Sequence, residues 1–400
     1  MIASWLLLLL AMPSSFQIDE QQIAELAKAV QQLAAGQPFE CPKIVMVGRD
    51  VFEDAATQVL QPTAADGNEL LHYVAMFYDR AGNRIVVRDD VQLGEAIARR
   101  GAEVKPLSRL LVMHEIVHAW QARNATPLLD QIQEIDRLAV QALLEGHAEY
   151  IVDRHCEHSG QKQLYERIVG HRRKFQRLQV GRTIADLKFV YEESLHFWKS
   201  ANKVRPMGFD DIVARMPTQR QIAYPSEYGT TNDSYSMNWL KQHPRLLSDP
   251  MMRQIRPYDL GFVAFRALVC TLPNNPDERQ RIIDNYRACA QFRSNSLVVT
   301  GTNFRDVTTA RLFYHALIGQ HSKRASGRVM PTGEQGEIHY AAHRMVGEMP
   351  QQRVTTILLR DEATIVEVND FEAESQEANL QAWIEQALKN YSAIRSSMPK

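Results

Sequence analysis

Short hydrophobic stretches separated by turn-forming residues run through the first ninety residues of the chain. Residues 43–48 are apolar and β-branched, which predicts a buried strand, and residues 50–60 have the spacing of a helix. Two further apolar stretches, 70–78 and 84–88, flank the turn-forming segment Asp79-Arg-Ala-Gly-Asn83. This arrangement predicts a β-hairpin.

Helical periodicity occurs both before and after this region. A helix rich in Gln and Ala is predicted over residues 18–35. Pro106 suits the first turn of a helix, and the apolar pattern continues from it to about Asn124. Two more helices are predicted over residues 136–153 and 161–179.

The second half of the chain begins after an irregular stretch. Residues 191–248 contain four prolines, and we place a domain boundary near their end. Beyond it the pattern predicts two helices, two strands joined by a turn at Asp361-Glu362, and an amphipathic C-terminal helix. These elements span 258–271, 277–291, 354–360, 364–368 and 373–394, in that order.

Composition changes this picture little. Hydrophobic residues make up 45% and charged residues 23% of 400 residues, which allows a sizeable core, and the length favours two packed units. The net charge is −1 with both signs mixed, so we predict no nucleic-acid partner. A glycine-rich phosphate loop and a Gly-x-Ser-x-Gly nucleophile elbow are both absent from the sequence.

An apolar run at residues 5–12 predicts export. It is about half the ~20 residues of a membrane-spanning helix, so we assign residues 1–15 to a signal peptide. The expected location is secreted or periplasmic, with no stable membrane span after processing. No Lys or Arg precedes the run and no clean cleavage site follows it, so a cytosolic protein and an uncleaved anchor stay open as alternatives.

The cysteines leave two interpretations open. If all four are oxidised they permit three pairings, and otherwise they are four buried thiols. A simple helical hairpin does not align Cys270 with Cys289, because they would lie about 5 Å and about 20 Å from the turn at ~1.5 Å per residue. The four are Cys41, Cys156, Cys270 and Cys289.

The candidate chemistry begins with a His-Glu-x-x-His pattern in the helix predicted to end near Asn124. His114 and His118 stand at i and i+4, share one helix face and can reach a single metal ion. Glu115 is offset by one position, where its carboxylate can take a proton from the attacking water. The pattern alone also fits two core histidines bonded to backbone, so a third ligand has to be found.

A second motif supplies that ligand through a family resemblance. Residues 119–124 lack the Gly and third His of metzincins, whereas Glu145-Gly146-His147-Ala148 resembles the Glu-Gly-x-Ala segment of gluzincin metallopeptidases. The glutamate of that segment is the third zinc ligand in the family. The resemblance therefore implies a Zn²⁺ site made by His114, His118 and Glu145, and close packing of the small residues of the segment against the first metal helix.

The resemblance also implies a fold. It predicts an α+β protein with a zincin-like peptidase domain over 16–240 and a helical and β accessory region over 241–400. More loosely, the chain resembles exported bacterial zinc peptidases with a Phe-Tyr-Asp hairpin and a Pro-Thr-x-x-Gln-Ile segment, here at 77–79 and 217–222. Those relatives continue with His-Pro where this chain has Tyr224-Pro225, so Tyr224 is either a stabiliser of the oxyanion or a packed loop tyrosine.

Two further predictions concern the segment after Glu145. In the thermolysin-like branch of gluzincins, an acid four residues after the ligand glutamate accepts a hydrogen bond from a metal-bound histidine. The resemblance implies this role, rather than metal binding, for Glu149. His147 is two positions from Glu145, points to the other side of the helix and is not predicted as a ligand.

A straight helix from residue 127 would carry Glu145 past the metal, so the ligand helix is predicted to begin near Asp136.

The function predicted from these residues is hydrolysis of peptide bonds in a peptide or protein substrate. Glu115 would act as the general base and pass the proton to the leaving amine. Arg84-Ile-Val-Val-Arg88, with charged ends, is predicted as an edge strand that pairs with extended substrate. A catalytically silent zincin scaffold and a zinc hydrolase of another amide are the alternatives, and the intact Glu115 argues against the first. The oligomeric state cannot be read from the sequence.

Overall fold

A computed structural model of the chain shows a mixed α+β protein, as predicted. The chain divides into two compact units, Met1–Thr230 and Thr231–Lys400. The predicted signal peptide and the predicted boundary at residue 240 lie outside the described residues, so both stay predictions. The structure describes residues 18–60, 76–89, 104–125, 137–166, 169, 182–204, 206–229, 258–259, 261–293, 297–324, 332–335, 338–346, 353–370, 385 and 388–389.

The first unit combines helices with a small sheet. The hairpin, the first helix and the helices that carry the two motifs all form close to their predicted positions. The elements are α1 (Glu20–Ala34), β1 (Lys43–Val47), α2 (Arg49–Leu60), β2 (Met76–Asp79), β3 (Arg84–Arg88), α3 (Val104–Asn124), α4 (Arg137–His158), α5 (Arg182–Lys188), a π-helical turn (Phe189–Glu193), α6 (Ser194–Val204), α7 (Phe209–Val213), α8 (Gln219–Ala223) and a 3₁₀ turn (Pro225–Glu227).

The sheet of this unit has the order β1-β3-β2, which corrects the predicted position of β3. β2 and β3 form the expected antiparallel hairpin, but β1 pairs with β3 in parallel on its other side. The edge-strand prediction for Arg84–Arg88 is therefore wrong. Its side chains from Ile85 to Val87 are at most 2% exposed, as in a central strand. The charged ends misled the prediction, because Arg84 pairs with Asp79 at 2.8 Å within the hairpin itself.

α3 and α4 form the buried centre of the unit. The described part of α4 starts at Arg137. Residues 126–136, where the helix is predicted to begin, lie outside the described residues, so its predicted start near Asp136 stays a prediction. Gly146 packs closely, although not against α3 as predicted. A Cβ atom built there would lie 2.6 Å from the Cβ of Ser194 and 2.8 Å from its backbone carbon. The small residue therefore serves the contact between α4 and α6, because Ser194 begins α6 directly after the π-helical turn.

This close contact gives a testable stability difference. Gly146→Ala is expected to destabilise the protein by about 1–3 kcal/mol, since backbone atoms of α6 must shift. The better helix propensity of Ala, about 1 kcal/mol, offsets only part of this cost. Urea unfolding measures the change, and Gly48→Ala is the control, because a Cβ atom at Gly48 meets nothing within 4 Å. Equal stability of both variants would contradict the close contact.

The second unit contains an antiparallel sheet with helices packed on it. The elements are β4 (Tyr258–Asp259), α9 (Gly261–Cys270), α10 (Pro276–Asp284), β5 (Tyr286–Arg293), β6 (Leu297–Phe304), α11 (Val307–Arg324), β7 (Thr332–Gln335), β8 (Ile338–Val346), β9 (Arg353–Asp361) and β10 (Thr364–Asp370). The strand order is β4-β5-β6-β10-β9-β8-β7. An aromatic cluster links the helices to the sheet, with the ring of Phe265 4.2 Å from that of Tyr286 and 5.5 Å from that of Phe313.

One predicted helix of this unit is a helix only in its first half and a strand in its second half. The pattern predicted a helix over 277–291, but α10 ends at Asp284 and the following residues form β5. β5 pairs with β6, which begins four residues after β5 ends, so pairing between neighbouring strands outweighs the helical spacing of these residues. The predicted strand pair around the turn at Asp361-Glu362 is confirmed as β9 and β10.

Two predictions about the whole chain can be compared with the described residues. All four cysteines are free thiols, but only Cys156 and Cys289 are buried, whereas Cys41 and Cys270 are exposed. Within the described ranges, no helix combines the length and the apolar character needed to cross a membrane. The predicted C-terminal helix over 373–394 falls almost entirely outside those ranges.

Candidate metal centre

Two buried helices bring the predicted ligands together. His114 and His118 lie on α3 and Glu145 lies on α4, and their exposed fractions are 2%, 1% and 0%. α3 is apolar on several faces, which is typical of a helix enclosed by its neighbours. The apolar residues of α3 around the two histidines are at most 4% exposed, and they are Leu110, Leu111, Val112, Met113, Ile116 and Val117.

The donor atoms of these three residues converge. Glu145 Oε2 lies 3.0 Å from His114 Nε2 and 3.4 Å from His118 Nε2. One ligand atom from each residue falls within 4.8 Å of the others, so the group can hold a metal ion. The two imidazole rings meet edge to face, with centroids 4.8 Å apart.

The donor set fits a zinc ion. Tetrahedral coordination with bonds of ~2.0–2.1 Å separates ligand atoms by about 3.4 Å, close to the distances between Glu145 Oε2 and the two Nε2 atoms. The 3.4 Å contact of His118 lacks the geometry of a hydrogen bond. Within the described residues, His118 Nε2 and Glu145 Oε1 are buried without a hydrogen-bond partner. Such atoms are costly to bury unless an ion or water satisfies them.

The protonation of His114 depends on two neighbouring carboxylates, those of Glu145 and Glu149. Burial lowers the pKa of His114, but hydrogen bonds with Glu145 and Glu149 outweigh it and raise the value to about 10. Burial raises the pKa of Glu145, but His118 and His114 outweigh it and lower the value to about 2. These shifts favour a protonated His114 beside an ionised Glu145 in the metal-free protein, so a metal ion at Nε2 would compete with a proton.

The structure places Glu149 on the far side of the His114 ring from Glu145. Its Oε1 atom lies 3.2 Å from His114 Nδ1, which leaves Nε2 for the metal side. The hydroxyl of Tyr165 donates to Glu149 Oε2 at 2.8 Å. Tyr165 was not identified from the sequence, because it lies 16 residues after Glu149 with no motif to mark it. Whether Glu149 strengthens metal binding stays a prediction.

His118 has a neutral partner that the sequence analysis also missed. Its Nδ1 atom lies 2.7 Å from the Oε1 atom of Gln121, which is fully buried. Gln121 stands three residues after His118, so helical spacing places both on one face and is the signal that could have identified it. The same amide reaches α4, where its Nε2 atom contacts the Leu144 carbonyl at 2.9 Å and His147 Nδ1 at 3.1 Å.

His147 is not part of the metal group, as predicted from its position. Its ring lies among aromatic side chains, with centroids 4.6 Å from Phe209, 4.7 Å from Trp198 and 5.5 Å from Trp120. Burial, and to a smaller extent the nearby His118, lowers the pKa of His147 to about 3. The ring is therefore neutral at physiological pH.

Glu115 is the second unusual group at this centre. It is fully buried, and neither carboxylate oxygen has a hydrogen-bond partner within the described part of the chain. Burial raises its pKa to about 7, although His118 and His114 act in the opposite direction, as does the Tyr78 backbone. A carboxylate with a pKa near the working pH, beside a group that can hold a metal, is suited to general-base catalysis.

Tyr224 follows α8, where its ring packs on an ion pair. The guanidinium carbon of Arg220 lies 5.0 Å from the ring centroid of Tyr224. Arg220 also donates to both oxygens of Glu227, at 2.8 Å and 2.7 Å. These contacts place the ring of Tyr224 against the Arg220–Glu227 ion pair, and its predicted role at the oxyanion stays a prediction.

Comparisons with protein-family models, with curated proteins and with solved structures find no match for this chain. The gluzincin resemblance therefore rests on the residues of the two motifs. The geometry shows a buried group of His114, His118 and Glu145 that can hold a metal ion. This arrangement is compatible with a metal-dependent hydrolase.

Proposed function

We propose that this chain is a zinc-dependent peptidase of the gluzincin type that acts on peptide or protein substrates. The observation that carries the proposal is Glu115, a fully buried carboxylate without a hydrogen-bond partner among the described residues, next to the metal-binding group. A structural metal site has no use for such a group, and leaving it buried and unpaired is costly. A hydrolase has a direct use for it.

In the proposed mechanism the residues have separate tasks. His114, His118 and Glu145 would hold the zinc ion. A bound Zn²⁺ would polarise the scissile carbonyl and lower the pKa of the attacking water toward ~7. Glu115 accepts the proton of that water and then donates it to the leaving amine nitrogen. The low dielectric around these buried groups strengthens each of the interactions involved.

β2 is the strand with which we expect an extended substrate to pair. Among the described strands of the first unit, β2 is an outer strand in the order β1-β3-β2. Its residues are at most 8% exposed, so a peptide would pair with its backbone edge rather than with its side chains. The Tyr78 backbone of β2 also acts on the Glu115 carboxylate. We therefore infer that an extended peptide lies along β2, with its scissile bond beside Glu115.

Hydrogen exchange tests this placement. The Glu115→Gln protein, mixed with a peptide substrate that it does not turn over, is expected to show slower exchange of the amides of residues 76–79. The amides of β8 in the second unit serve as the internal control. Unchanged exchange along β2 at saturating peptide would remove the placement without removing the proposed reaction.

The proposed function itself is tested with purified protein. One equivalent of zinc by elemental analysis, together with chelator-sensitive cleavage of casein or a peptide library, is the expected result. Protein that binds zinc but cleaves no peptide would favour a silent scaffold or a hydrolase of another amide. Because the apolar run at 5–12 supports export, we propose that the enzyme works outside the cytoplasm, and N-terminal sequencing of the exported protein tests this.

A further inference from the structure

The side-chain amide of Gln121 connects the two helices of the metal centre. It lies on α3, is fully buried, and is within hydrogen-bond distance of three groups. Its Nε2 atom is 2.9 Å from the carbonyl oxygen of Leu144, and its Oε1 atom is 2.7 Å from His118 Nδ1. Leu144 directly precedes the proposed ligand Glu145 on α4. One amide thus contacts a proposed ligand on one helix and the backbone next to a proposed ligand on the other.

Hydrogen-bond chemistry fixes which end of this amide faces which partner. The Leu144 carbonyl can only accept, so the amide nitrogen of Gln121 must face it. The amide oxygen then faces His118 Nδ1 and can only accept, so His118 must carry its proton on Nδ1. A neutral His118 with this proton presents the lone pair of Nε2 to Glu145 and the metal position.

His147 satisfies the remaining amide proton. Gln121 Nε2 lies 3.1 Å from His147 Nδ1, and a nitrogen with two protons can serve both this atom and the Leu144 carbonyl. His147 must accept at Nδ1, which places its own proton on Nε2. The two imidazoles on either side of one amide are thus held in opposite tautomers.

We propose that Gln121 is a positioning residue for the metal centre, and that it fixes His118 as the tautomer that presents Nε2. His147 and the Leu144 carbonyl hold the amide in the required orientation. This inference rests on the proposed function, because it assigns His118 as a ligand. It adds that the two histidine ligands are oriented differently, His114 by a carboxylate and His118 by a neutral amide.

The first test measures zinc affinity. Gln121→Met keeps the length of the side chain but removes the acceptor for His118, and zinc affinity is expected to fall about 10- to 100-fold. Gln121→Glu keeps an acceptor for His118 Nδ1 but offers no pair of donors for the Leu144 carbonyl and His147 Nδ1, so its affinity is expected to lie between those of Gln121→Met and the wild type. The matched control is Asn303→Leu in the second unit, which also removes a buried amide, one that donates to Thr364 Oγ1 at 2.9 Å. The control is expected to lose stability without losing zinc affinity.

A second measurement covers the case in which the Gln121 variants do not fold. Proton–nitrogen correlation spectra of the wild-type imidazoles, with His147 assigned from a His147→Leu variant, are expected to show His118 protonated at Nδ1 and His147 at Nε2. Wild type that binds no zinc would defeat the proposed function. Zinc-binding wild type with the opposite tautomers, or a folded Gln121→Met protein of unchanged affinity, would defeat the role of Gln121 alone.

Discussion

Replacement of Glu115 by Gln is expected to leave zinc bound and to reduce peptide hydrolysis about 10²- to 10⁴-fold. The amide keeps the shape of the side chain but cannot accept a proton from the attacking water. It breaks no well-formed hydrogen bond within the described residues, because the Tyr78 backbone acts on Glu115 only through a contact that falls short of hydrogen-bond geometry. The fall is therefore expected in kcat, with the zinc content and the fold unchanged.

Turnover of a peptide substrate at equal zinc content measures this effect. Glu25→Gln is a suitable control, because Glu25 lies on the exposed face of α1 and its side chain is 56% exposed. That variant is expected to hydrolyse peptides like the wild type. If Glu115→Gln cleaved peptides at the wild-type rate, the proposed role of the carboxylate would have to be abandoned.

The same variant has an expected effect on stability that depends on pH. Burial raises the pKa of Glu115 from 4.5 to about 7, so the folded metal-free protein disfavours its ionised form. The wild type consequently loses stability as pH rises from 4.5 to 7, because the unfolded chain ionises first. Metal-free Glu115→Gln escapes this loss and is expected to be more stable at pH 8 by roughly 3 kcal/mol, with little difference below pH 4.5. Urea unfolding at both pH values, with chelator present, measures it.

Two glutamates one helical turn apart are expected to differ sharply in their effect on zinc. Glu145→Ala removes the carboxylate that lies 3.0 Å and 3.4 Å from the two imidazole Nε2 atoms, and is expected to abolish high-affinity binding. Glu149→Ala leaves the three proposed ligands in place but removes the partner of His114 Nδ1, and is expected to weaken binding about 10- to 100-fold. It also leaves the Tyr165 hydroxyl without its carboxylate acceptor, at a cost of about 1–3 kcal/mol in stability.

Zinc titration of the two metal-free variants distinguishes these roles, with circular dichroism to show that both are folded. Tyr165→Phe is a milder companion to Glu149→Ala, because it keeps the carboxylate and removes only the bond that holds Oε2 at 2.8 Å. Its affinity is expected to lie between those of the wild type and Glu149→Ala. Weaker binding by Glu149→Ala than by Glu145→Ala would mean that the assignment of ligand and partner is reversed.

The sequence by itself determined the parts of this protein that depend on short spacing. Imidazoles at i and i+4 share a helix face whatever surrounds the helix, so His114 and His118 could be paired from the sequence. The hairpin of β2 and β3 followed from the turn-forming residues between two apolar stretches. Glu145 lies 27 positions after His118, and its selection needed the family resemblance as well as the spacing.

Tertiary structure decided what depends on partners distant in the chain. β3 is a central strand only because β1, some forty residues earlier, pairs with it in parallel. Gly146 meets Ser194 rather than α3 for the same reason, since the crossing of two helices is set by packing across the whole unit.

The environment of the metal centre shows the same division. The sequence supplied the residues that contain the ligand atoms, but it could not supply Gln121, His147 or Tyr165 as their partners. Hydrogen bonds between side chains depend on distances of a few tenths of an ångström, and these distances are fixed only after α3 and α4 have packed. The tautomers proposed for His118 and His147 depend on these contacts, and the raised pKa values of His114 and Glu115 depend on the neighbours and the burial that only the packed fold creates.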